Sequence, residues 1–347
     1  MTQIEGRLVA GLGKAADFTG IDWVRRQLLE RSGIDPHPGT VNLRIEDAAN
    51  LARWRAWCGE PGHALAPEDA AFCAARCYPV RIGSRIPAAV LVPEVPGYPP
   101  DKLELVAAVP VRSRLALEEG DRIGVELCRP YPAKAVLFDI DGTMVDSIGA
   151  YLEVARVAAA PLGFEVSAEQ VRRSLGGGLR FWNEVLPQDL PEREAAMQQM
   201  SAHAARAWPG VLREHARVFA GLAQTLDTLK RAGMLLGIVS GARPEVLELL
   251  REDGILDRFD AVVLGADVAR RKPDPEGLLK CLATLGVAAD QAVYVGDTQV
   301  DIQASRAAGV HAVAVLSGAA DSAQLSLCEP DRLIWSHASL PEIVRPV

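Results

Sequence analysis

Five short apolar runs after Ala133 constrain the fold more than any other feature of the chain: Ala135–Asp139, Leu235–Ser240, Ala261–Leu264, Ala292–Val295 and Ala312–Leu316. Segments with Ala, Leu, Glu and Arg at helical spacing separate them. A strand covered on both faces reads as a continuous apolar run. Strands alternating with helices build a parallel, doubly wound sheet. The expected class is therefore α/β. Between Ser147 and about Arg217 no comparable run occurs, only helical spacing, so a helical insertion is expected over about 148–217.

The first 130 residues have a different texture. Short stretches rich in β-branched residues (Arg81–Ile82, Ala88–Val92, Leu103–Val109, Ile123–Leu127) are punctuated by Pro and Gly, densest from Pro93 to Pro100. That pattern predicts a β-rich, turn-rich domain. One helix is expected over Asp22–Arg31, stopping at Gly33, and a second over Ala48–Trp57. Gly120–Asp121 is a turn, and Pro130–Tyr131–Pro132 reads as a linker. The expected domains are 1–132 and 133–347, and 347 residues suit two domains.

The formal net charge of −8 argues against a surface built for nucleic-acid phosphates. Most of the acidity lies after residue 132, with 21 Lys/Arg against 28 Asp/Glu. No apolar run approaches the roughly 20 residues that span a bilayer, and the N-terminus lacks a secretory pattern. No membrane role and a cytoplasmic location are the expectations. The six cysteines are scattered, and only Cys73 and Cys77 are close, so reduced thiols are expected rather than a zinc site.

Four segments stand where strands end, which is where such sheets bind ligands. Phe138–Asp139–Ile140–Asp141–Gly142–Thr143 puts two carboxylates one residue apart. Val239–Ser240–Gly241 ends on an isolated hydroxyl. Arg271–Lys272–Pro273–Asp274–Pro275 sets a lysine in a Pro-bounded loop. Val295–Gly296–Asp297–Thr298–Gln299–Val300–Asp301 is acidic again. Phosphoryl transfer uses such parts. One carboxylate attacks phosphorus, and another protonates the leaving alcohol and later deprotonates water. Magnesium sits on hard oxygens, while a lysine and a hydroxyl hold the remaining phosphoryl oxygens.

From Lys134 to about Ser317 the chain resembles the haloacid dehalogenase superfamily, in particular its phosphoglycolate-phosphatase-like branch. The signature DxDGTxxD appears as Asp139, Asp141, Gly142, Thr143 and Asp146. Ser240, Lys272 and Gly296–Asp297–Thr298 with Asp301 match the remaining motifs. The resemblance implies a Rossmann-like domain with a helical cap, a phosphatase with Asp139 as nucleophile, and Asp141 as acid and base. It implies magnesium held by Asp139, Asp297 and the Asp141 carbonyl, with Asp301 in support. Ser240 and Lys272 complete the catalytic set, with Thr143 and Gly241 beside the substrate, a small phosphorylated metabolite. Within the cap, Gly176–Gly177–Gly178 leads to Arg180, which either contacts an anionic substrate or lies on a helix surface.

The N-terminal domain resembles the CTP-dependent riboflavin kinases of archaea, small six-stranded cradle-loop barrels, over nearly all of residues 5–127. The resemblance is carried by Gly6–Gly13, by Pro36–His37–Pro38–Gly39–Thr40–Val41–Asn42, and by the stretches Tyr78–Ile82, Ala88–Pro93 and Leu103–Asp121. It implies that Thr40 and Asn42 bind metal and nucleotide phosphates and that Gly11 and Gly13 approach the nucleotide. CTP and riboflavin, or another small alcohol, would be the partners. Two departures are visible: Gly11–Leu12–Gly13 runs into Lys14–Ala15–Ala16, and Val95–Pro96–Gly97–Tyr98–Pro99 replaces a family segment containing Thr and His. Two readings therefore stay open, a bifunctional kinase and phosphatase or a phosphatase whose barrel is a non-catalytic ligand-binding or regulatory module.

Overall fold

The computed structural model of the protein describes residues 3–11, 18–176, 181–188, 190 and 192–347. Two compact units divide them: Met1–Arg129 with Ser322–Trp335, and Pro130–Asp321 with Ser336–Val347. The sequence reading put 322–335 with the second domain, whereas the structure packs this strip into the first unit.

In the first unit, strands β1 (Gln3–Val9), β2 (Val41–Arg44), β4 (Ala75–Ile82), β5 (Ile86–Pro93), β6 (Lys102–Ala107) and β7 (Arg122–Leu127) pair in the order β4-β5-β6-β2-β1-β7. A further β4–β7 pairing closes the ring, so the unit is a six-stranded antiparallel barrel, with β3 (His63–Leu65) added beside β4. Closure removes the exposed edges that an open sheet leaves. Ile4, Leu8, Leu43, Val80, Ile82, Val90, Leu105 and Val125 belong to the core of this barrel. Strand β1 was not expected, because Glu5, Gly6 and Arg7 interrupt its apolar residues. Its burial nonetheless alternates, and a Cβ on Gly6 would lie 2.9 Å from the Leu43 Cβ, so only glycine lets β1 approach β2 this closely.

Helix α1 (Asp22–Ser32) ends where expected. Gly33 adopts φ 72° and its amide donates to Leu29 O. Helix α2 (Ala48–Cys58) starts on an Asp47 cap that accepts from the Asn50 amide at 2.8 Å. It buries Trp54 and Trp57 in the barrel core. A Cβ on Gly33 would also lie 2.7 Å from the Leu333 Cβ and 2.8 Å from its carbonyl carbon. Gly33→Ala is therefore expected to lower stability by about 1–3 kcal/mol, through left-handed strain and displacement of the 322–335 strip. The midpoint of urea unfolding followed by fluorescence checks this.

In the second unit, β8 (Ala135–Phe138), β9 (Leu235–Ser240), β10 (Ala261–Leu264), β11 (Ala292–Gly296) and β12 (His311–Val315) lie in the order β10-β9-β8-β11-β12, all parallel. All five match the expected runs to within a residue or so, because buried parallel strands are apolar throughout. The chain runs outward from β8 to β10, then crosses back to β11. The β8–β11 boundary is thus the switch point, where a crevice opens at the carboxyl ends of the strands. The insertion is helical as expected: α3 (Ile148–Ala159), α4 (Ala168–Gly176), α5 (Phe181–Val185) and α6 (Arg193–His215). Its entry and exit are pinned together by a short antiparallel pairing of Val145–Asp146 with Arg217–Val218.

Candidate functional site

Asp139 leaves the end of β8 with its amide bonded to Val295 O on β11 at 2.9 Å, which fixes it at the switch point. The next turn is built around Gly142 at φ 72°, where a Cβ would lie 2.3 Å from Asp297 Oδ2. A Cβ on Gly318 would be closer still to the same oxygen, 1.9 Å away. Two glycines thus let backbone close around the Asp297 carboxylate. It accepts from the Ala319 amide at 2.9 Å and, more weakly, from Thr143 Oγ1 at 3.4 Å. Ser317 Oγ braces the turn by donating to Gly142 O at 2.7 Å.

Asp301 sits in the first turn of α7 (Gln299–Ala308). Its Oδ2 accepts from the Thr298 amide at 3.0 Å and from Thr298 Oγ1 at 2.5 Å. Its Oδ1 accepts from Lys272 Nζ at 2.5 Å. The same ammonium donates to Asp139 Oδ1 at 2.9 Å and to the Tyr294 hydroxyl at 2.8 Å. Tyr294 in turn donates to Val239 O at 2.8 Å, tying the cluster to β9. Asp139, Asp297 and Asp301 are all buried, and each offers a carboxylate oxygen within 4.8 Å of the others. Burial pushes the Asp139 carboxyl up to about 6; Lys272 opposes the rise and Asp301 reinforces it. Burial also raises Asp297, helped by Asp301 and Asp139. Three carboxylates face one ammonium here. Their hard oxygens and unbalanced charge fit a small divalent cation such as magnesium.

Asp141 stands apart from this cluster. Its Oδ2 accepts from the Tyr151 hydroxyl on α3 at 3.0 Å, while its buried Oδ1 has no partner among the described residues. Burial raises its pKa, which favours the protonated form. Ser240 closes β9, accepts from the Ala242 amide at 3.1 Å, and lines a cavity of about 230 Å³ with Gly241 and Lys272. Asp139, Asp141, Thr143, Ser240, Gly241, Lys272, Asp297 and Asp301 are thus gathered at one end of the sheet. Arg180, Gly177 and Gly178 lie outside the described residues, and Asp146 is exposed in the short pairing at the insertion's base. Sequence reasoning missed Tyr151, Tyr294, Gly318 and Ala319. Only Tyr294 left a signal, as the single polar-tipped residue in an apolar strand.

In the barrel, Asn42 Nδ2 donates to Thr40 Oγ1 at 3.0 Å, and the buried Asn42 Oδ1 has no partner among the described residues. Both side chains line a cavity of about 340 Å³ with Phe18, Phe72, Leu91 and Glu104. A Cβ on Gly11 would lie 2.7 Å from Asn42 Nδ2, so the Gly11 backbone packs closely against the Asn42 amide, whereas Gly13 lies outside the described residues. Among the described residues, no helix is long and apolar enough to cross a membrane.

Comparison with known proteins agrees with this division. Residues 136–315 match the family model of the haloacid dehalogenase-like hydrolases. Residues 8–127 match the model of the CTP-dependent riboflavin kinase type, described as a domain of unknown function, DUF120. A phosphoglycolate phosphatase of Xanthomonas campestris pv. campestris is 34% identical over 219 residues, covering 60% of this chain and 98% of the relative. A riboflavin kinase of Methanocella arvoryzae is 34% identical over 126 residues, 36% of this chain and 56% of that protein. The crystal structure of a haloacid dehalogenase-like hydrolase from Bacteroides fragilis superposes with a TM-score of 0.52 at 28% identity, covering 59% of this chain and 97% of the other. A family protein from Streptococcus pneumoniae shares the fold at 21% identity and a TM-score of 0.51, over 60% and 96% of the two chains. With its family model spanning more than half its length, the chain belongs to the haloacid dehalogenase-like hydrolases, as a phosphatase domain joined to a riboflavin-kinase-like barrel.

Proposed function

We propose that the second unit hydrolyses a small phosphomonoester through an aspartyl-phosphate, and that the gathering of Asp139, Asp297, Asp301 and Lys272 at the switch point is what supports this most. An Asp139 carboxylate oxygen attacks phosphorus while the ester oxygen departs, giving an acyl phosphate. Protonated Asp141 donates to the departing alcohol oxygen. Once ionised, it takes a proton from the water that hydrolyses the acyl phosphate, and Asp139 is regenerated. Lys272 and Ser240 hold phosphoryl oxygens. Asp139, Asp297, Asp301 and the Asp141 carbonyl would hold magnesium, which supplies positive charge against that developing on the transferred group. Thr143 and Gly241 border the substrate, and the helical cap excludes water.

Excess chelator is expected to lower phosphate release at least about 10³-fold, with magnesium restoring it and calcium doing so poorly. Calcium takes more ligands in looser geometry and disturbs in-line attack. Full turnover of 2-phosphoglycolate and glycerol phosphate in chelator would remove the metal from the mechanism.

For the barrel we infer a nucleotide site at Thr40, Asn42 and Gly11, with CTP as donor and riboflavin or another small alcohol as acceptor. The support is the unpartnered, buried Oδ1 of Asn42 and the place of Asn42 and Thr40 in the lining of a cavity shared with Phe18 and Phe72. A nucleotide that binds only the folded state at 100 times its Kd stabilises by about 2.7 kcal/mol. CTP with magnesium is therefore expected to raise the melting temperature of the full chain, and Thr40→Ala with Asn42→Ala to remove the rise. A rise without phosphate transfer to any alcohol tested would make the barrel a ligand-binding module.

A further inference from the structure

The cap and the sheet domain of the second unit enclose a further cavity, of about 400 Å³, and of the catalytic and binding residues assigned above only Gly241 lines it. Tyr151, Phe181, Trp182 and Trp208 come from the cap, and Arg243 and Arg271 from the loops after β9 and β10. The aromatic residues form a continuous wall. Tyr151 lies 4.9 Å from Trp208 and 5.8 Å from Phe181, and Phe181 lies 4.8 Å from Trp182 in edge-on contact. Tilted rings of this kind leave faces on which a further planar group stacks.

Three observations show that the wall is more than packing. Trp208 is 6% exposed, yet its indole N–H has no acceptor among the described residues. A buried donor left unpaired costs stability unless something enters to accept from it. Arg243 and Arg271 are exposed on the cavity lining and form no ion pair among the described residues. Finally, Tyr151 closes the wall while bonding Asp141 at 3.0 Å, and Gly241 joins the cavity to the Ser240 end of the site. A group held against the wall therefore sits next to the acid that serves the leaving oxygen.

Taking the phosphatase reading above as its basis, we propose that the substrate is the phosphate ester of an alcohol carrying a planar aromatic or heteroaromatic ring and a second anionic group. The ring stacks among Tyr151, Phe181 and Trp208, the indole N–H of Trp208 donates to a ring heteroatom or oxygen, and the anion pairs with Arg243 and Arg271. The cavity volume falls in the range that encloses a drug-sized ligand, and a two-carbon acid leaves most of it to water.

Four primary-alkyl monoesters test this with leaving-group chemistry held alike: ethyl phosphate, 2-phosphoglycolate, 2-phenylethyl phosphate and 4-(2-phosphooxyethyl)benzoate. The full chain with magnesium is expected to hydrolyse the benzoate ester with a kcat/KM at least about 30-fold above that for 2-phosphoglycolate. Trp208→Ala is expected to shrink the ratio of ring ester to ethyl ester by about tenfold. Arg243→Met is expected to shrink the ratio of benzoate to phenylethyl ester by a similar factor. Because each is a ratio within one variant, partial loss of folded protein cancels. Turnover of 2-phosphoglycolate equal to or above that of both ring esters overturns the proposal and leaves the phosphatase reading intact. Turnover of none of the four, with the wild type matching Asp139→Asn, overturns the phosphatase reading, and the proposal falls with it.

Discussion

Asp139→Asn is expected to lower phosphate release at least about 10⁴-fold while leaving the melting temperature in chelator unchanged or higher. The amide cannot form the acyl phosphate, and nucleophile removal is among the largest losses that single substitutions produce. Stability should not suffer, because the ionised carboxylate is held against its own preference. In the metal-free protein burial raises its pKa from 3.8 to about 6. A carboxyl raised on folding binds its proton more tightly in the native state. It therefore favours folding below its ordinary pKa and loses that advantage as pH rises through about 6. The metal-free wild type should accordingly lose stability between about pH 4 and 6 through this group, and the Asp139→Asn substitution should abolish that component. Activity within tenfold of wild type would end the assignment of Asp139 as nucleophile.

Lys272→Met is expected to have the second-largest effect, on stability and activity together. The ammonium donates to Asp139 and Asp301, whose side chains are 8% and 1% exposed. Removing one partner of a buried pair commonly costs about 3–5 kcal/mol, because the remaining charge has no water to turn to. In chelator the variant should therefore melt well below wild type at pH 8, and by less at pH 5, below the raised pKa of about 6 at Asp139, where that protonated carboxyl needs no counter-charge. Magnesium should stabilise the variant more than wild type, since a divalent cation supplies charge to the same oxygens. Phosphate release with magnesium present should still fall about 10²–10⁴-fold, because the mechanism proposed above has Lys272 holding the transferred group as well. A melting temperature in chelator equal to wild type at pH 8 would show that Lys272 does not balance the cluster.

The strands of the second unit were legible because burial on both faces leaves nothing but apolar residues, as in Ala135–Phe138, all four of which are inaccessible to solvent. The motif carboxylates were legible because they follow those strands directly. Strand β1 was hidden by Glu5, Gly6 and Arg7, since a barrel strand with one face in water alternates, and a glycine erases the alternation. Tyr294 and Tyr151 could not be assigned from spacing. Tyr294 acts through partners 22 and 55 residues away, Lys272 and Val239, and those meetings depend on the sheet order. Gly318 and Ala319 follow the last of the five parallel strands without any motif, and their part in gripping Asp297 depends on close backbone approach. The 322–335 strip was placed by chain order, and nothing local in it reveals that its partners lie near residues 33, 81 and 85.

That strip sets an order of events during synthesis. Ser322 Oγ donates to Gly33 O across 289 positions of sequence, Arg81 pairs with Asp331 across 250, and Leu333 packs against Gly33. Residues 3–127 are translated first, yet they lack these partners until residues 322–335 have been made. The five parallel strands of the phosphatase domain, complete at Val315, are all made before the barrel has all its packing. Contacts that close such long loops arrive late and favour the complete chain over any truncated one. Nascent chains stalled after residue 132 should therefore show less protease protection in the barrel than the released chain of residues 1–347. A 1–132 fragment should melt lower than the same barrel within the whole molecule.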